Sequence, residues 1–171
     1  MRLFIAINLS SDTRSRLLDL RDELRSNSEN GNFSKPKNLH LTLVFLGELE
    51  KKQVSQIKKI MGSLSSEKFD LIFDRVGYFR RDSGDIWWVG IRKNEELLKL
   101  QHSLKEKLVT AGFELEKRKY NPHITLGRKI ITDVTPWEIE RFGEKVTEVS
   151  LMKSERIEGK LTYTAIYTKH F

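Results

Sequence analysis

Two short stretches carry the residues best suited to chemistry. "NLHLTL" covers Asn38–Leu43 and "NPHITL" covers Asn121–Leu126. Both share the order His, apolar, Thr, apolar, and the chain has only four histidines. Side chains alternate along a strand, so His40 and Thr42 share one face while Leu41 and Leu43 point to the other. His123 and Thr125, backed by Ile124 and Leu126, repeat the arrangement. Each stretch is a short polar display on an apolar anchor. Brought together, they supply what phosphodiester cleavage needs: a neutral imidazole to take a proton from the attacking oxygen and an imidazolium to protonate the leaving oxygen. A histidine titrates near pH 6.5, so both forms coexist around neutrality. The threonine hydroxyls can hydrogen-bond the nonbridging phosphate oxygens. Arg128 can add positive charge there, but strand parity sets it opposite to His123, so a bulge near Gly127 is required to bring it round.

A lone histidine in a strand is more often a packed or surface residue than a catalyst. Chance places one such four-residue pattern in roughly a few per cent of chains this long, and two in one chain far more rarely. A metal site is the weaker reading, because threonine is a poor ligand and neither stretch has Asp, Glu or Cys at ligand spacing. Ser or Cys nucleophile schemes lack support, because there is no Cys and no G-x-S-x-G; no Walker-type loop is present, and no cofactor is expected. His102, on the polar side of a helix, and His170, beside the C-terminus, read as surface residues. Trp87 and Trp88 point opposite ways on one strand, one to the core and the other toward a cleft. Phe33 and Tyr120, just ahead of the two motifs, are candidates for stacking on a base, with core packing as the alternative.

The elements that must position these residues follow from periodicity. A strand is expected over 2–8, with a helix over about 12–27 capped by Ser10 or Ser11. The stretch "SNSENGNFSKPKN" has the composition of a loop, and a strand over 39–46 is expected to end at Gly47. Val54, Ile57, Met61 and Leu64 mark a second helix. Strands are expected at about 69–76 and 85–91. A third helix is capped by Asn94, carries Leu97, Leu100, Leu104, Leu108 and Ala111, and stops at Gly112. Further strands are expected at 123–130, 145–152 and 161–169. A shift of 83 residues, His40 to His123, carries strand 2–8 onto 85–91 and helix 12–27 onto 95–110. The order strand, helix, loop, motif strand therefore occurs twice, which predicts two similar lobes with a cleft between them in one 1–171 domain.

Bulk properties are consistent with that reading. The chain of 171 residues has 38% hydrophobic and 32% charged residues, no cysteine and a net charge of +7. Lys51–Lys52, Lys58–Lys59 and Lys117–Lys119 are small basic clusters without a basic tail. The balance favours anionic partners such as RNA. The opening "MRLFIAINLS" has an apolar run that stops at Asn8, too short for a signal region or a membrane span. A cytoplasmic, membrane-free protein is expected, and it is expected to act as a monomer, since no heptad seam is present.

At these residues the sequence resembles the 2H phosphoesterases, and within them the RNA 2′,3′-cyclic phosphodiesterases, or 2′,5′-RNA ligases of the LigT type. "MRLFIAI" resembles the opening strand, "NLHLTLVFLGEL" the first motif block, "DIWWVGI" the middle strand and "NPHITLGR" the second block. "LMKSERIEGKLTYTAIY" fits the closing segment more loosely. The resemblance implies an α+β bilobal pseudo-symmetric fold, with two antiparallel sheets lining a central cleft and helices outside. It implies metal-independent opening of a terminal 2′,3′-cyclic phosphate on RNA, or of a small cyclic nucleotide, to a 2′-phosphate. Carried over, His40 is the proton donor and His123 the proton acceptor, with Thr42, Thr125 and Arg128 on the phosphate. Members often carry Trp ahead of the first motif, where this chain has Phe33. Two alternatives stand beside this reading: a 2′,5′-RNA ligase acting on RNA halves, and a non-catalytic nucleotide- or RNA-binding module.

Overall fold

A computed structural model describes all residues, Met1–Phe171. In chain order the elements are β1 (Arg2–Asn8), α1 (Ser11–Ser26), β2 (Ser28–Phe33), a 3-10 turn (Pro36–Asn38), β3 (His40–Glu48), α2 (Lys51–Gly62), β4 (Phe69–Phe79), β5 (Asp85–Ile91), α3 (Glu95–Thr110), β6 (His123–Thr132), β7 (Trp137–Val146), β8 (Glu148–Ile157) and β9 (Lys160–His170). The strands form two antiparallel sheets, of order β3-β1-β8-β9 and β2-β6-β5-β4-β7. The three helices begin where the sequence provides caps. The Ser10 hydroxyl accepts the Thr13 amide, Glu50 and Gln53 form a capping box, and the Asn94 side chain accepts the Leu97 amide.

The 83-residue correspondence is present in the fold. β1 pairs with β3, and β5 with β6, so each motif strand lies beside the strand that opens its half. The helices cross over. α1, which follows a strand of the first sheet, packs on β2, β6 and β7 of the second. α3, which follows a strand of the second sheet, packs with α2 against the first. The result is one continuous core between helices and sheets, built from Leu17, Leu41, Ile57, Phe73, Trp87, Leu104 and Ile124 among others. The apolar run Leu3–Ile7 of β1 serves both of its faces: Leu3, Ile5 and Ile7 join that core, while Phe4 and Ala6 form a small separate cluster with Met152 on the other side of the sheet. No helix is long and apolar enough to cross a membrane.

Three expectations need correction. The expected loop before the first motif contains β2, which adds an edge strand to β6 although "SENGNF" has no apolar alternation. Its pairing comes from the partner strand: Gly127 on β6 sits so near β2 that an added Cβ would lie 3.0 Å from the Asn32 carbonyl. β7 occupies 137–146, where no strand is expected, and the last two strands run longer than their expected ranges. Gly47 does not end β3; it sits inside the strand at φ +78°, at a register shift against β1, and pairing continues to Glu48.

Candidate active site

Each motif strand contains a bulge directly after its threonine. Thr42 and Val44 pair with the consecutive residues Ala6 and Ile5, and Thr125 and Gly127 pair with Trp88 and Trp87. One extra residue in each, Leu43 and Leu126, resets the alternation. Leu43–Val44 and Leu126–Gly127 are therefore adjacent buried pairs. Beyond each bulge the next residue returns to the face of its motif histidine, Phe45 in one strand and Arg128 in the other. This is the bend that Arg128 requires. A second register shift follows, at Lys129 with φ 53°, so the arginine sits between two irregularities.

The bulges leave backbone carbonyls that need donors, and the two halves supply them reciprocally. The Tyr120 hydroxyl, just ahead of the second motif, donates to the Thr42 carbonyl of the first at 2.8 Å. Ser34, just ahead of the first motif, donates its hydroxyl to the Thr125 carbonyl at 2.9 Å and its amide to the Leu126 carbonyl at 2.8 Å. On the remaining position, Gln101 of α3 donates to the Leu43 carbonyl at 3.3 Å. Each motif is thus clipped by the segment that leads into the other.

Both imidazoles are anchored alike. His40 Nδ1 donates to the Asn38 carbonyl at 2.7 Å, and His123 Nδ1 to the Asn121 carbonyl at 2.6 Å. A carbonyl can only accept, so the anchoring fixes the proton on Nδ1 and leaves Nε2 for proton exchange. The Nε2 atoms differ. That of His40 lies 2.8 Å from the Thr42 hydroxyl, whereas that of His123 has no protein partner. Burial lowers the pKa of both. The charges of His123 and Arg128 lower His40 further, and that of Arg128 lowers His123, against the opposing pull of the carbonyls. The two imidazoles and Arg128 are therefore near enough to feel one another's charge, across a cleft between the sheet faces that no helix covers. This arrangement can transfer two protons around one anion held by Arg128.

Aromatic rings surround both histidines. Phe4 and Tyr163 lie 4.9 and 5.2 Å from His40, and Phe79 lies 5.1 Å from His123. Trp88 is the tryptophan on the cleft side, 6.4 Å from His123, while Trp87 is buried in the core. The two residues considered for stacking on a base are placed elsewhere. Phe33 packs on the core side under Arg25 of α1, opposite the buried Gly127, and Tyr120 turns inward to make its bond to Thr42. Burial raises the pKa of the Tyr120 hydroxyl, as befits a permanent donor. Composition could not distinguish these faces, because the strand and the turn that orient the rings are set by pairing. Phe45 carried a sequence signal that the motif reading left aside: it precedes Arg128 by the same 83 positions. His102 and His170 are exposed and paired with Glu106 and Glu148.

Comparison with known proteins extends these observations to most of the chain. The sequence pattern of the 2′-5′ RNA ligase superfamily matches residues 14–158. An RNA 2′,3′-cyclic phosphodiesterase of Archaeoglobus fulgidus is 31% identical over 151 residues, spanning 84% of this chain and 85% of its own. The Escherichia coli protein of the same name is 30% identical over 167 residues, spanning 96% and 93%. The crystal structure of E. coli LigT complexed with 3′-AMP superposes with a TM-score of 0.89 at 28% identity, over 99% of this chain and 97% of that one.

Proposed function

The chain belongs to the 2′-5′ RNA ligase superfamily, a group of 2H phosphoesterases, and from that premise we propose that it opens 2′,3′-cyclic phosphates at RNA ends to 2′-phosphomonoesters. Water attacks phosphorus as His123 Nε2 takes its proton. The bond from phosphorus to the 3′ oxygen breaks, and His40 Nε2 returns a proton to that oxygen. Arg128 neutralises the equatorial oxygens as charge builds on them, and the Thr125 hydroxyl donates to the same group. Thr42 acts through His40 as well, because its hydroxyl is within hydrogen-bond distance of the Nε2 that must deliver the proton. The observation that carries the reading is the matched anchoring of the two imidazoles on Asn38 and Asn121, with one unpartnered Nε2. The free nitrogen favours His123 as the base. With a 5′-hydroxyl in place of water as the nucleophile, the same displacement of the 3′ oxygen would give a 2′,5′-linked product, in keeping with the name of the superfamily.

The test is an RNA oligonucleotide ending in a 2′,3′-cyclic phosphate, incubated with the protein and a chelator. The expected product is the 2′-phosphate. His40→Ala and His123→Ala are each expected to lower kcat by about 10²–10⁴-fold. Full activity in either variant would overturn the role assigned to that histidine. Tight binding without turnover by the unaltered protein would point to a binding module. Supplying two RNA halves tests joining in the same assay.

A further inference from the structure

The face of the first sheet that carries His40 continues beyond it, past Phe4. Across β1, β8 and β9 the register sets Arg2 opposite Ser154, and Ser154 opposite Tyr163. Residues in such a row point to the same side of the sheet, here the side carrying Phe4 and His40. The backbones of Arg2 and Tyr163 are roughly 9–10 Å apart, two strand spacings, which their long side chains can bridge. Tyr163 is held edge-on by Phe4 at 5.0 Å and by His40 at 5.2 Å.

Arg2 is exposed and takes part in none of the ion pairs of the protein. The carboxylate opposite it in the row, Glu48, is engaged with the N-terminal ammonium at 3.3 Å. Burial raises the pKa of Tyr163, and the charges of Arg128 and Arg2 both pull it back. The hydroxyl is therefore close enough to feel two guanidinium charges, one belonging to the reaction site and one with no ion-pair partner.

An RNA end presents two phosphates flanking one nucleoside: the reacting cyclic phosphate and the phosphodiester on its 5′ side. A nucleoside 2′,3′-cyclic phosphate with a free 5′-hydroxyl has only the first. We infer that Arg2, with the Tyr163 hydroxyl beside it, holds the phosphodiester on the 5′ side of the terminal nucleotide, so that the protein prefers an RNA end to a nucleoside cyclic phosphate. This rests on the reaction proposed above. A guanidinium takes a phosphate through two parallel donors, and such a contact reads the backbone and not the base, so the preference is independent of sequence.

The experiment compares kcat/KM for a dinucleotide ending in a 2′,3′-cyclic phosphate with that for the corresponding nucleoside 2′,3′-cyclic phosphate, in the unaltered protein and in Arg2→Gln. The unaltered protein is expected to favour the dinucleotide by about tenfold or more, the size of one charge-assisted contact. The preference is expected to appear mainly in KM and to shrink as salt is added. In Arg2→Gln the ratio is expected to fall close to one, and Arg2→Lys is expected to recover part of it. A ratio near one in the unaltered protein, or a ratio that Arg2→Gln leaves intact, overturns the inference. Failure of the unaltered protein to open either substrate instead removes the reaction itself, a separate and recognisable outcome.

Discussion

A histidine serves as acid or base in a fixed direction only when one ring nitrogen is held and the other is left to exchange its proton. Asn38 and Asn121 provide that hold through backbone carbonyls, which cannot be titrated away. The pH dependence follows from the lowered imidazole values. The base must be neutral, so the rate rises as pH climbs through its value. The acid must be protonated, so the rate falls as pH climbs through its own. With both below the ordinary value near 6.5, the kcat/KM bell of the free protein is expected to peak on the acid side of 6.5. A bound cyclic phosphate is an anion, which raises both values, so the kcat bell is expected at higher pH than the kcat/KM bell. The limbs belong to the coupled pair and not to single residues. Steady-state profiles of both parameters check this; a kcat/KM maximum above pH 7, or a kcat bell displaced to lower pH, would contradict it.

At the scale of elements, the bulges turn two ordinary strands into a site, and their carbonyls must stay paired for the bend to persist. Tyr120→Phe keeps the ring and removes the donor to the Thr42 carbonyl. An orphaned, part-buried carbonyl costs about 1–3 kcal/mol, so the variant is expected to unfold at correspondingly lower denaturant. Activity is expected to fall modestly through kcat, since His40 shares a strand with that carbonyl. Unchanged stability would mean that the carbonyl finds another donor. These clips explain what the sequence could and could not disclose. The His and Thr positions, the anchoring leucines, the caps at Ser10 and Asn94 and the repeat of β1 and β3 in β5 and β6 depend on local alternation and spacing, which a single chain displays openly. The bulge after Thr125 was legible through the parity conflict at Arg128, whereas the one after Thr42 was concealed because "TLVF" contains no mark of an inserted residue. β2 was concealed because its pairing is imposed by β6. The inward turn of Tyr120 was concealed because it depends on a partner 78 residues away.

At the scale of the molecule, the repeat does not produce two independent halves. The first sheet takes β1 and β3 from the beginning of the chain and β8 and β9 from its end, while β2 from the first half belongs to the second sheet. α1 lies on the second sheet and α3 on the first, so each helix covers strands that its own half does not open. A cut between Ser65 and Ser66, in the connection from α2 to β4, would leave the N-terminal fragment with two strands of one sheet, a single strand of the other and an α1 with no sheet to cover. The C-terminal fragment would keep β8 and β9 without the strand that joins them to His40. Neither fragment can close the shared core, since Leu17 and Leu41 come from one side of the cut and Trp87, Leu104 and Ile124 from the other. The intact chain is therefore expected to unfold in one cooperative transition, with equal calorimetric and van't Hoff enthalpies. The separated fragments are expected to lack dispersed spectra, and a one-to-one mixture to recover both folding and phosphodiesterase activity, because His40 and His123 lie on opposite sides of the cut. Two resolved transitions in the intact chain, or a fragment that folds alone, would show that the lobes are energetically separable and that the crossing of the helices contributes little to joining them.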